Sequence, residues 1–139
     1  MPHTLLVIDD NSSVRNALSF LLSRRGYTVM VAEDGFSGIE MARQHAVDGV
    51  LLDQHMPGMN GIVTCRLLKT LAAERGRPLP IWMMTGARTS EMAAAAIAAG
   101  AIVLLAKPFD FSELYALLEE RLGKPELPAS GKPDVLDLL

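Results

Sequence analysis

Five short apolar runs, at residues 4–8, 27–32, 49–52, 80–84 and 101–106, return along the chain with helix-like segments between them. The first, Leu5-Leu6-Val7-Ile8 after Thr4, is continuous rather than alternating, the pattern of a strand buried on both faces. The second, Tyr27 to Ala32, is rich in β-formers, and the fourth opens on Pro80, where a strand tolerates proline. After the first run, Asn11-Ser12-Ser13 offers N-cap chemistry, and Val14, Ala17, Leu18, Leu21 and Leu22 form an apolar stripe closed by Arg24-Arg25-Gly26. Asp34 caps a second helix through about His45, with Phe36 and Ile39 inward and Gly35 and Gly38 weakening its first turn. A third helix runs from Ile62 to about Glu74, with Leu67, Leu68 and Leu71 on one face. Thr89 to Ala99 is an alanine-rich fourth helix closed by Gly100. Asp110 caps the last, with Glu113 placed for a capping box, Phe109 and Leu114 for a hydrophobic staple, and Leu114, Leu117, Leu118 and Leu122 as its buried face. Strand and helix alternate five times, which predicts a parallel sheet with right-handed crossovers and helices on both faces.

The size suits one domain, expected over residues 1–122, and a chain that is half hydrophobic has enough apolar surface for a full core. From Gly123 the composition shifts, and Pro125, Pro128, Gly131 and Pro133 mark a linker or tail over 123–139. Its end, Asp134 to Leu139, fits either the start of a helix or a chain without fixed structure. A net charge of −3 argues against nucleic-acid binding by this domain. Cys65 stands alone, so no intramolecular disulfide and no multi-cysteine metal site can form, and a reducing cytoplasm is the natural setting. No apolar segment approaches the about 18 residues that span a bilayer.

The runs also end on chemistry. Asp9-Asp10 follows the first strand, Asp53 the third, Thr85-Gly86 the fourth and Lys107 the fifth. Ligands of a doubly wound sheet bind at the carboxyl ends of the strands, near the point where strand order reverses. With the common order 2-1-3-4-5, strands one and three are neighbours there, and three carboxylates crowd one cleft. Their repulsion is relieved by a hard divalent cation, Mg²⁺ best, which takes one or two carboxylates and completes its shell with water and phosphate oxygens. A lysine opposite balances charge and grips a phosphoryl oxygen, a threonine hydroxyl donates to another, and Asp53 is placed to accept the group. Taken singly, Asp10 also reads as a helix cap, Thr85 as a turn hydroxyl and Lys107 as a solvated loop lysine. Their joint placement at successive strand ends carries the argument.

Val7-Ile8-Asp9-Asp10, Leu52-Asp53 with Met56-Pro57-Gly58-Met59-Asn60-Gly61, Met84-Thr85-Gly86 and Lys107-Pro108-Phe109 together resemble the signatures of a response-regulator receiver domain of two-component signalling, over about residues 4–122. The resemblance implies a flavodoxin-like (βα)5 fold that accepts a phosphoryl group from a histidine kinase or a histidine phosphotransfer protein. It makes Asp53 the phosphoacceptor and gives Mg²⁺ to Asp9, Asp10, Asp53 and the backbone carbonyl of His55. Thr85, Gly86 and Lys107 would contact the phosphoryl group, and the Lys107-Pro108 bond would be cis. Two positions depart from the pattern. Family members often carry Tyr or Phe three residues before the lysine as a rotamer switch, and this chain has Leu104. Gln54-His55 stands where many members have an apolar residue and a small or polar one. Thr85 is expected to be drawn toward the phosphoryl group, moving the loop at 86–89 and the weakly polar helix after it. Apolar surface on the fourth helix, fifth strand and fifth helix points to a partner or homodimer face.

Three other classes compete. A Mg²⁺-dependent aspartyl-nucleophile phosphatase would place Asp-x-Asp straight after the first strand, whereas here the acids are contiguous. A flavodoxin-like cofactor binder would need a phosphate-cradling loop there, where this chain has two acids. A degenerate receiver serving only as an interaction module is opposed by the complete acidic set. The output partner is not written in the sequence.

Overall fold

The computed structural model describes residues 3–125; Asp134 to Leu139, with its two readings, lies outside them. Strands β1 (Thr4–Ile8), β2 (Thr28–Ala32), β3 (Gly49–Asp53), β4 (Ile81–Thr85) and β5 (Val103–Ala106) alternate with helices α1 (Ser12–Arg24), α2 (Gly35–Gln44), α3 (Gly61–Arg75), α4 (Ser90–Ala99) and α5 (Phe111–Leu122). All four strand pairings are parallel, in the order β2-β1-β3-β4-β5. The predicted order and the predicted switch point between β1 and β3 are both present.

The three inner strands are buried on both faces, so successive residues feed opposite cores. Leu6, Ile8, Val50, Leu52, Ile81, Met83 and Leu104 pack beneath α2, α3 and α4, together with Cys65, Leu68 and Ala96. Leu5, Val7, Leu51, Trp82, Met84 and Leu105 pack beneath α1 and α5, against Leu18, Leu22, Leu114 and Leu118. Each helix starts where its cap residue says it should. Asn11, Asp34, Asn60, Thr89 and Asp110 all accept backbone N–H bonds in the first turn of the following helix. At α5 the cap bond comes from Ser112, whose hydroxyl also donates to the Asp110 carboxylate.

Three facial assignments need correction. Phe36 is 62 % exposed, and α2 turns Gly35, Gly38 and Ala42 inward instead. A Cβ on Gly38 would sit 2.4 Å from Cδ1 of Ile8, and one on Gly35 2.3 Å from Oγ1 of Thr64. The glycines that weaken the helix in isolation are what lets it lie against the sheet and α3, and Phe36, about 100° round the helix from Gly35, is thereby turned outward. On α3 the inward stripe is Gly61, Thr64, Cys65, Leu68 and Leu71, which leaves Leu67 43 % exposed. On α1 Leu18 and Leu22 are buried while Ala17 is exposed, because a single-sided helix on a two-layer face buries a narrower stripe than its apolar pattern offers.

Candidate functional site

The site forms where β1 and β3 end side by side. β1 and β3 are in register from Leu5↔Gly49 to Ile8↔Leu52, so Asp9 and Asp53 leave adjacent strands at the same height. Backbone bonds from the Asp9 N–H to the Ala32 carbonyl (3.1 Å) and from the Gln54 N–H to the Met84 carbonyl (2.8 Å) carry the ladders past the last strand residues and hold both acids rigidly. Asp9 is fully buried, Asp53 is buried and Asp10 is exposed. One carboxylate oxygen from each lies within 4.8 Å of the others. The cluster therefore offers two walled-in carboxylates and one at the mouth.

Lys107 crosses from the end of β5. Its Nζ donates to Oδ2 of Asp9 at 2.7 Å and stands 3.2 Å from Oδ1 of Asp53. The second Asp9 oxygen accepts from the Asn11 N–H at 2.9 Å, and Arg15 Nη1 donates to the Asp9 carbonyl at 2.7 Å. Burial, and then the charge of Asp9, push the Asp53 carboxyl up to about 6 against the pull of Lys107. Burial works against the Lys107 ammonium, but its hydrogen bond to Asp9 and the two carboxylate charges outweigh it and hold the group above the ordinary lysine range. One lysine thus compensates two buried acids incompletely, and the deficit falls on Asp53.

Thr85, fully buried, ends β4 with its carbonyl accepting from the Lys107 N–H at 2.7 Å and its Oγ1 accepting from the Ala87 N–H at 3.2 Å. Gly86 is exposed with open space where a Cβ would stand. The Lys107-Pro108 bond is cis, as the resemblance implied. Leu104 is buried at 3 % exposure beneath α4, and Pro108 is exposed. His55 is exposed.

The loop from Gln54 to Asn60 is folded back on the strand it leaves. Gly58 takes φ 84°, and the Gly61 N–H donates to the Gln54 carbonyl at 2.9 Å. A Cβ on Gly61 would fall 2.5 Å from the Asp53 carbonyl oxygen and 2.7 Å from Cα of Gln54, both backbone atoms that cannot step aside. Gly61→Ala is therefore expected to cost about 3 kcal/mol, read as a urea midpoint lowered by roughly 1–2 M. An unchanged midpoint would show that the loop can detach from Asp53 freely.

Three site features were not anticipated: the Arg15 bond to the Asp9 carbonyl, a bond from Arg88 Nε to the Leu104 carbonyl at 3.0 Å, and Gln54, which is 8 % exposed with a buried Oε1 that no group bonds. Of these only Gln54 carried a sequence signal, as a polar residue where many family members have an apolar one; the two arginine bonds depend on where a long side chain lands.

The donor set suits a hard divalent cation: three carboxylates converge, among the described residues no sulfur or imidazole joins them, and the Asp10 residue is exposed. Among the described residues, no helix is long and apolar enough to cross a membrane.

Comparison with known proteins agrees with this geometry. The response regulator receiver domain family model matches residues 5–119. The chain is 36 % identical over 141 aligned residues to the response regulator MprA of Mycobacterium sp. (strain KMS), covering 99 % of this chain and 60 % of that protein. It is 35 % identical to the transcriptional regulatory protein ZraR of Escherichia coli O157:H7, covering 94 % of this chain and 29 % of that one. It thus spans only part of the length of these relatives. Among solved structures, the chemotaxis protein CheY4 of Vibrio cholerae superposes with a TM-score of 0.80 at 29 % identity, over 88 % of this chain and 100 % of that one.

Proposed function

Since the chain belongs to the response regulator receiver domain family of two-component signalling, we propose that it accepts a phosphoryl group on Asp53 from the phosphohistidine of a histidine kinase or phosphotransfer protein and switches partner binding. The observation that carries this reading is Lys107 bonded to Asp9 and Asp53 at once, beside an open Asp10. An Oδ of Asp53 attacks phosphorus, a P–O bond forms, the N–P bond breaks, and the imidazole leaves with the electron pair. Asp53, titrating near 6, is ionised at neutral pH yet more basic than an ordinary aspartate, which suits a nucleophile. Lys107 can release Asp53 to meet a phosphoryl oxygen while keeping Asp9, and the Thr85 hydroxyl and the Gly86 backbone stand on the next strand to receive the others. Asp9, Asp10, Asp53 and the His55 carbonyl would hold Mg²⁺, which supplies neutralisation of the phosphoryl charge.

The product is a charge switch. An aspartyl-phosphate adds charge at the rim of the sheet, of the size that biases a loop or helix between two positions. The contiguous Asp9-Asp10 pair and the acceptor on β3 support a switch that stores the group rather than a turnover phosphatase. In this reading residues 1–122 form the receiver, acting in the cytoplasm, and 123–139 are a Pro- and Gly-containing tail or linker. Ile97, 52 % exposed on α4 next to exposed Ala98, supports a partner or homodimer face on α4, β5 and α5.

Incubation with acetyl phosphate and Mg²⁺ is expected to give an adduct of about +80 Da by intact mass, absent when Mg²⁺ is removed with chelator. No adduct under either condition would refute the assignment.

A further inference from the structure

The loop after β4 is held toward one side. β4 lies between β3, which carries Asp53, and β5, which carries Lys107. β4 itself is laddered on both sides to its end, by the Gln54 N–H on the Met84 carbonyl at 2.8 Å and the Lys107 N–H on the Thr85 carbonyl at 2.7 Å. Among the described residues, however, the loop beyond it is tied to a neighbouring strand on the β5 side, by Arg88 Nε donating to the Leu104 carbonyl at 3.0 Å. Within the loop, the Ala87 N–H occupies Oγ1 of Thr85. The Asp53 side is where a phosphoryl group would draw Thr85, so the pull on the loop and the Arg88 bond oppose each other across β4.

The bond is charge-assisted and half-buried, which makes it stronger than an exposed contact. Its acceptor is informative. Leu104 packs in the core beneath α4 with Ala96 and Ala99, at the position where an aromatic switch is missing. Arg88 therefore joins the loop to a β5 residue in the core cluster beneath α4. Arg88 lines a surface groove together with Asp110 and Glu113.

We propose that Arg88 is a positioning residue for Thr85: its bond to the Leu104 carbonyl holds the β4–α4 loop on the β5 side in the unphosphorylated protein, and Thr85 reaches a phosphoryl group on Asp53 only as that bond yields. This rests on the phosphoryl-acceptor reading above. The bond then does what the absent aromatic cannot, linking the state of Asp53 to β5 and α4 through a backbone carbonyl.

A latch present in only one state shifts the switch by its own differential energy, so removing it favours the bound state. The full chain with Mg²⁺ is titrated with beryllofluoride as the phosphoryl mimic, and the amide of Leu105, whose nitrogen shares the peptide unit with the Leu104 carbonyl, is followed by NMR. Arg88→Ala is expected to bind beryllofluoride roughly fivefold more tightly than wild type, and Arg88→Lys between the two. On binding, the wild-type Leu105 signal is expected to move toward the position it already holds in free Arg88→Ala. Tighter binding by a truncated side chain is not the outcome of a merely structural loss. If wild type binds and Arg88→Ala binds equally or more weakly, or if Leu105 does not move, the latch is refuted while the acceptor reading stands. If wild type binds no beryllofluoride, the acceptor reading falls and the latch with it.

Discussion

Asp53→Asn is expected to abolish the phosphoryl adduct and, in the absence of divalent cations, to make the fold more stable by about 2–3 kcal/mol at pH 7. The two effects share one cause. In the folded protein the Asp53 carboxyl titrates at about 6 rather than 3.8, because burial and the Asp9 charge disfavour its ionised form. The folded state therefore binds this proton more tightly than the unfolded chain does. The contribution of Asp53 to stability is highest in acid and falls as pH rises from about 4 through about 6, beyond which the full penalty is present. Asparagine keeps the shape, removes the charge and leaves Lys107 its 2.7 Å bond to Asp9. The advantage of the variant is expected to be small near pH 4, to open between pH 4 and 6, and to appear at pH 7 as a melting temperature raised by roughly 5–10 °C. A variant that melts at or below wild type across this range would show that Asp53 is not held against its charge. Strain stored on the acceptor is what a cation or a phosphoryl group at this site relieves.

Lys107→Met should move stability the other way. Among the described residues the lysine is the cation paired with the carboxylates of Asp9 and Asp53, whose side chains are 0 % and 6 % exposed. Without it, two carboxylates remain buried with no opposite charge within bonding distance, a situation that costs about 3–5 kcal/mol. Methionine fills most of the volume, so the loss reports charge rather than a cavity. The effect is expected to be largest above pH 7 and smaller near pH 5, where Asp53 takes up a proton and one negative charge disappears. In the Asp53→Asn background the same substitution should cost clearly less, because only Asp9 is then left unpaired, and chemical denaturation of the four proteins gives this coupling directly. Equal costs in both backgrounds would mean that Lys107 serves Asp9 alone. The adduct is expected to be lost or strongly slowed as well, since Lys107 is the side-chain cation standing against Asp53 to meet a phosphoryl oxygen.

How much of this was readable in advance follows the range of the interaction that decides each feature. Strand runs, helix caps and the residue ending each strand are set within a few neighbours, so Asn11, Asp34, Asn60, Thr89 and Asp110 stand where helices begin, and Asp9, Asp53, Thr85 and Lys107 stand where strands end. Alternation of strand and helix, with the handedness of their crossovers, then dictates a parallel sheet, and the common order 2-1-3-4-5, which the structure has, brings β1 beside β3. The acidic cluster follows from that topology and needs no further information.

Orientation and reach were another matter. An apolar pattern ranks residues by hydrophobicity, whereas burial depends on how near the next layer comes. Phe36 and Leu67 lost their inward places to glycines and small residues because α2 and α3 approach the sheet and each other at distances only those residues permit. Likewise, the basicity of Asp53 depends on the count of charges enclosed with it, and Arg88 depends on Leu104, sixteen positions away on another strand. The sequence by itself determined which groups stand at the carboxyl ends of the strands, since strand period and helix caps are local rules. Only the tertiary structure decided how strongly Asp53 is held against its charge and which side of β4 the loop is tied to, since both are sums over contacts between residues far apart in the chain.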